Sequence, residues 1–392
     1  MRFWIIIGVL FSVLSCEVFE PTVPADDEIL DGPVPGLTAG ETIQFQRGDV
    51  AFNDEIFTTR NGLGPYFVAT SCGSCHPGDG KGHPFTTLTR FGQSDISGNQ
   101  FLHQGGPQLQ HRAIPGFTPE VLPNAPFARF TPPANTGLGY LDAISDAQIL
   151  AMADPLDADG DGISGVPNWI DLKPYVTTRP NSIPMSGKYI GRFGKKGATY
   201  DLLQQTATAY NQDIGINSTF EPIDTYSGDA VDPEISDQTI HDVVFYLKTL
   251  KVPTPRVPDH DIELGRTVFE NLNCSGCHKP QLQTGTSAIS SLSDQPIAPY
   301  TDLLLHDMGP GLDDGYTEGS AATYEWRTPP LWGLGLSKNS QGGNYFLLHD
   351  GRARSIEEAI LMHGGEATAS KNAFSALSSQ AKDQLIKFLE SL

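Results

Sequence analysis

Cys72-Gly73-Ser74-Cys75-His76 and Cys274-Ser275-Gly276-Cys277-His278 are the two stretches that decide the reading of this chain. Each has the form Cys-x-x-Cys-His. Two thiols one helical turn apart can add to the two vinyl groups of one haem, and the adjacent histidine then stands under the iron as its axial ligand. Gly and Ser between the thiols keep the turn small enough for a macrocycle to lie against it. A thioredoxin-like redox pair would need a strand-then-helix context, which neither motif has. Two pairs separated by about 200 residues are too far apart for a ribbon-type zinc site. Plain disulfides would give no reason for a histidine after both pairs. The spacing therefore predicts two covalently attached c-type haems, with His76 and His278 as proximal iron ligands.

Around the motifs the chain repeats itself. A helical segment precedes each one: residues 41–57, containing Arg47-Gly48-Asp49-Val50-Ala51-Phe52, and residues 263–270, containing Gly265-Arg266-Thr267-Val268-Phe269. Further on, the run opening Ile235-Ser236-Asp237-Gln238 and ending Lys248-Thr249-Leu250 aligns without a gap over sixteen residues with the run opening Leu377-Ser378-Ser379-Gln380 and ending Glu390-Ser391-Leu392. Both begin with a serine N-cap and carry apolar residues at helical spacing. They read as the closing helices of two cytochrome c-like domains, at 39–250 and 259–392. The Pro-rich segment 251–258 reads as the linker. A weaker echo pairs Phe101-Leu102-His103-Gln104-Gly105-Gly106 with Leu347-Leu348-His349-Asp350-Gly351-Arg352. The expected fold is all-α with long irregular loops, the first domain being enlarged by an insertion of about 100 residues beyond what a small cytochrome domain needs.

The insertion contains Asp157-Ala158-Asp159-Gly160-Asp161-Gly162-Ile163. Alternating aspartates with glycine at the bend are what a calcium loop requires. Asp157, Asp159 and Asp161 would offer side-chain oxygens and Ile163 a backbone carbonyl, although the twelfth position is Asn168 instead of a bidentate glutamate.

The formal charge is −21, from 46 acidic and 25 basic residues in 392. This composition excludes the basic surface that nucleic-acid binding needs; it suits a small, basic electron-donor protein as partner. The N-terminus, with Arg2, the apolar run 3–14 and then Ser15-Cys16, reads as a lipoprotein export signal over residues 1–15, with Cys16 as the lipidated residue. Residues 16–38 read as a Pro- and acid-rich tether. Glu17 after Cys16 is compatible with sorting to the outer membrane, so the expected location is the bacterial cell envelope, facing the periplasm.

Two such domains in this order resemble the bacterial di-haem cytochrome c peroxidase superfamily. Within it, the chain resembles the di-haem oxidoreductase family, also labelled "thiol oxidoreductase". The resemblance is carried by Leu88-Thr89-Arg90-Phe91-Gly92, Gly191-Arg192-Phe193-Gly194, His306-Asp307-Met308-Gly309, residues 325–333 (Glu-Trp-Arg-Thr-Pro-Pro-Leu-Trp-Gly), His349-Asp350-Gly351-Arg352 and Glu357-Glu358-Ala359-Ile360. It implies two haems close enough for electron transfer and calcium near the domain interface. It also implies a sixth iron ligand three residues past the Glu-Glu-Ala-Ile tetrad, where this chain has His363. Met362 and Met308 are weaker alternatives, and His363 equally suits the end of a helix capped by Ser355 and Glu358. In the first domain His83 and His103 are ligand candidates beside an open site. His349, Arg327 and Arg352 are expected on haem propionates. Gln108, Gln110 and Arg112 lie where the repeat places a distal polar pocket, as catalytic candidates. Many members carry Trp after Gly-Arg-Phe-Gly, where this chain has Lys195; Trp326 and Trp332 are the nearby aromatic substitutes. The expected activity is peroxidase-like oxidoreduction, with non-enzymatic electron transfer or redox sensing as the alternative.

Overall fold

The computed structural model describes residue 25 and residues 29–392. The expected signal peptide, Cys16 and residues 16–24 of the tether lie outside the described residues.

Each half of the molecule is built on one crossed helix pair. In the first half, helix Ala39–Asp49 opens with a reciprocal cap between Thr38 and Glu41 and passes into a π-helical turn, Val50–Asp54. It packs on helix Asp237–Thr249, which is capped by the Ser236 hydroxyl. The two helices touch at Gly48, where a Cβ would lie 2.1 Å from the carbonyl oxygen of Asp242. In the second half, helix His260–Asn271 packs on helix Ser379–Glu390, capped by Ser378. There the touching residue is Gly265, whose Cβ would lie 2.0 Å from the carbonyl oxygen of Gln384. Asp242 and Gln384 occupy matching places in the sixteen-residue repeat, as do Tyr246 and Phe388. The aromatic contacts match too: Phe52 lies 5.6 Å from Tyr246, and Phe269 lies 5.5 Å from Phe388.

Two apolar clusters surround these pairs. One gathers Phe45, Phe52, Leu141, Ile149, Ile240, Val243 and Tyr246, among others; the other gathers Ile262, Phe269, Tyr300, Phe374, Leu385 and Phe388. The first also takes in Leu303, Leu304 and Trp332, so the later chain helps to fill the earlier core.

The all-α expectation does not hold. About 34% of the chain is helical and about 11% is strand. The described residues contain five two-stranded antiparallel ladders. Leu88–Phe91 pairs with Phe127–Phe130, and Leu305–Asp307 with Glu325–Arg327. The long connections are only partly buried, and one face of several ladders is exposed. Where one face of such a connection packs inward its N–H and C=O groups still need partners, and short ladders supply them where no helix forms.

Polar contacts join the halves. Arg90 pairs with Glu318 at 2.8 Å, and the Lys196 ammonium donates to the carbonyls of Ala322, Thr323 and Glu325. Among the described residues no helix is long and apolar enough to cross a membrane.

Candidate haem centres

The first motif forms one helical turn, Cys72–Cys75, capped by the Ser71 hydroxyl. The His76 N–H donates to the Cys72 carbonyl at 3.0 Å, which brings the imidazole around beside the thiols. The second motif forms a tighter turn, Cys274–Gly276, entered through Asn273 at φ +56°. His278 N–H donates to the Cys274 carbonyl, again at 3.0 Å.

The two imidazoles are held alike. His76 Nδ1 lies 2.9 Å from the carbonyl oxygen of Pro133, and His278 Nδ1 lies 3.0 Å from that of Tyr300. A carbonyl can only accept, so it fixes the proton on Nδ1 and leaves the Nε2 lone pair free, the arrangement of a metal-ligating histidine. Burial pushes both imidazoles down to about 4, so both are neutral at neutral pH, as ligation requires. Both rings are half-buried. Phe52 and Phe269 stand 6.0 and 6.5 Å from the two rings. These groups fit two covalently attached haems.

The thiols do not fit redox exchange. Burial pushes Cys72 and Cys75 up to about 12 and Cys274 up to about 11, and raises Cys277. A catalytic thiol needs the opposite shift.

His363 follows the short helix Ile356–Leu361. Its Nδ1 lies 2.7 Å from the Ala359 carbonyl, so its Nε2 is free as well. His278 is near enough to feel its charge. The remaining candidates differ. His83 accepts the Phe85 N–H on Nδ1, which leaves the proton on Nε2, and its ring packs against Phe85 and Phe346. His103 is exposed and bonded to Gln104, so its echo of His349 is one of sequence only. His349 is buried, stacked 3.6 Å from Trp326, and paired with Asp314 at 2.7 Å. Arg352 pairs with Asp350 and with the same Asp314. Arg327 donates to the Gly194 carbonyl. Met362 packs into the second core and Met308 beside Trp326 and Leu312.

In the first half, Gln108 and Gln110 are both buried. Their amides donate to the Gln212 carbonyl at 3.1 and 2.9 Å, and the Gln108 amide also donates to Asp213 Oδ1. They therefore brace the segment that presents Asp213. Arg112 is exposed on the strand pairing with Tyr66–Phe67, and its charge reaches Cys75. Asp213, which the sequence did not single out, is pushed up to about 6 by burial and is felt by both Cys72 and Cys75. Glu120, also unforeseen, accepts the Gln110 N–H and is raised by burial. Neither carries a spacing signal in the sequence.

A family profile described as "Di-haem oxidoreductase, putative peroxidase" matches residues 128–392. The chain belongs to the di-haem oxidoreductase family. The matched range holds the second motif and His363, while the first motif precedes it. Two solved structures are similar at the whole-chain level. One is Kuenenia stuttgartiensis hydrazine synthase pressurized with 20 bar xenon: 14% identity, 100% of each chain covered, TM-score 0.42. The other is a MauG-like protein associated with microbial copper homeostasis: 14% identity, 95% of each chain covered, TM-score 0.40. No curated protein matches the chain.

In this member of the di-haem oxidoreductase family the acidic loop brings together Asp154, Asp157 and Asp159. Asp161 is turned onto the Ile163 N–H, and Asn168 is buried elsewhere, bonded to the carbonyls of Lys196 and Glu318. The loop leads directly to the second motif. A Cβ on Gly276 would lie 2.4 Å from Ile163 Cδ1. Ser164 donates to Glu366, and Glu366 lies 2.7 Å from His306 Nδ1. His306 is buried, also holds Asp302 at 2.9 Å, and lies 3.5 Å from Cys277 Sγ. The two carboxylates and the thiol raise its pKa against the cost of burial, so it is an imidazolium at neutral pH.

Proposed function

We propose that this di-haem oxidoreductase is a peroxidase-like enzyme in which the second centre passes electrons and the first carries the chemistry. The observation that carries this reading is the asymmetry of the histidines. At the second motif, His278 and His363 both offer a free Nε2 with Nδ1 held by a carbonyl. Among the described residues, His76 is the one histidine of the first half held in that way. Two axial imidazoles make an electron-transfer centre, whereas one leaves a face for substrate. A haem held at Cys72, Cys75 and His76 supplies the redox chemistry of peroxide reduction.

The protein's own contribution is proton handling. Asp213 has its raised pKa from burial, against the hydrogen bond from Gln108 and the charge of Arg90, which favour the carboxylate. As a base it takes the peroxide proton and returns it to the leaving oxygen, with Gln108 and Gln110 fixing its place. Only the carboxylate can accept a proton, so kcat/KM for peroxide is expected to rise with pH through about 6. The test is the pH profile of peroxide-dependent oxidation of a ferrocytochrome. Asp213→Asn is expected to lower the rate at least 100-fold, in the range of a lost general base, and to remove the rising limb. A protein with two haems and no peroxide turnover, low-spin at both centres, would instead be an electron carrier or redox sensor.

Further parts of the reading rest on sequence. Cys16 is the lipid-bearing residue of an envelope protein facing the periplasm. The donor is a small basic protein drawn by the acidic surface, with turnover that falls as salt rises. Calcium is held by the loop through Asp154, Asp157 and Asp159, without Asp161, whose carboxylate is taken by the Ile163 N–H.

A further inference from the structure

Lys81, Lys195 and Arg327 come from three separate segments: the loop after the first motif, the turn after Gly191-Arg192-Phe193-Gly194, and the end of the strand Glu325–Arg327. The main chain ties two of them together, since the Arg327 N–H donates to the Lys195 carbonyl at 3.1 Å. The Arg327 guanidinium donates to the carbonyls of Gly194 and Thr328. Ser340 holds the Lys81 carbonyl at 2.8 Å. Among the described residues none of the three makes an ion pair with a carboxylate. Asp350 is near enough to be felt but is engaged by Arg352. Asp302, the acid felt by Arg327, is engaged by His306.

All three side chains are half-buried. Burial lowers the pKa of each, and for Lys195 the repulsion of Lys81 and Arg327 lowers it further. Three such cations without a counter-charge are costly, and the cost disappears when carboxylates enter among them. Lys195 also stands close enough to His76 for its charge to act on that imidazole. A c-type haem seated on His76 brings two propionates.

We infer that Lys195, with Lys81 and Arg327, binds the propionates of the first haem and raises its reduction potential. The inference rests on the haem reading given above. A fixed ammonium beside a haem disfavours the ferric state, which carries one more positive charge, over the ferrous state. The resemblance to other family members places an aromatic residue at position 195. In this chain the position holds a charge that tunes the first centre.

The test is spectroelectrochemical titration of the intact protein, with haem counted by pyridine haemochrome. Lys195→Met is expected to keep two haems and to shift the first centre's reduction equilibrium at least tenfold toward the ferric form, about 59 mV for one electron. Lys195→Arg, which keeps the charge, is expected to recover most of the shift; Lys81→Met is expected to move the potential in the same direction. Two haems with an unchanged potential in Lys195→Met would overturn the inference and leave the haem reading standing. A chain without haem would overturn both. Succinate, a free dicarboxylate, separates the two sources of carboxylate. No effect on the wild-type spectrum is expected, because the propionates already occupy the cluster. A succinate-dependent shift of the first centre would overturn the propionate assignment.

Discussion

The two halves of the molecule share a frame and differ in what they place on it. Both cross their helices at a glycine, Gly48 and Gly265, against matching residues of a repeated closing helix. Both cap that helix with a serine, set a phenylalanine beside the motif histidine and hold Nδ1 of that histidine on a backbone carbonyl. The difference lies in the segments that gather around the two motifs. The second half adds His363; the first adds the Gln108–Asp213 pair and two lysines, Lys81 and Lys195, which Arg327 of the second half joins. The frame decides where an iron is held, and the irregular segments decide what it does there.

The comparison breaks most sharply if the two motifs are not equivalent anchors. Replacing Cys72 and Cys75, or Cys274 and Cys277, by alanine is expected to halve the haem count in each case, from two to one, by pyridine haemochrome and intact mass. His363 sharpens the contrast. His363→Ala is expected to convert the second centre to high spin in the optical spectrum. His363→Met, which restores a sixth ligand, is expected to raise its potential by at least a tenfold shift in equilibrium, about 59 mV. The shared frame makes its own demand. Gly48→Ala and Gly265→Ala each drive a methyl into a backbone carbonyl and are expected to cost about 3 kcal/mol apiece in denaturant unfolding. Clearly unequal costs would show that the two crossings are not alike. The smallest effect belongs to the caps: Ser236→Ala and Ser378→Ala are each expected to cost about 1 kcal/mol.

What could be read from the sequence was local. The motifs, the serine caps and the closing helices declare themselves over a few turns, because helical hydrogen bonds and capping join near neighbours. Strand pairing does not. Leu88–Phe91 meets Phe127–Phe130 across a long intervening stretch, so neither segment carries a hairpin signal, and the expected all-α fold was the result. Asp213 was invisible for a similar reason: its raised pKa comes from the protein packed around it. The acidic loop shows the limit of spacing. Asp159 accepts the Asp161 N–H and Asp161 accepts the Ile163 N–H, and these short-range turns swing Asp161 out while Asp154 joins from outside the repeat.

The seating of Ile163 on Gly276 also constrains the motif itself. Gly276 lies between the two thiols of the second motif, and the side chain that touches it, Ile163, belongs to the insertion, more than a hundred residues earlier in the chain. Any side chain larger than hydrogen at position 276 would push the insertion away, so the residue between the two thiols is constrained by a distant loop as well as by the turn it makes.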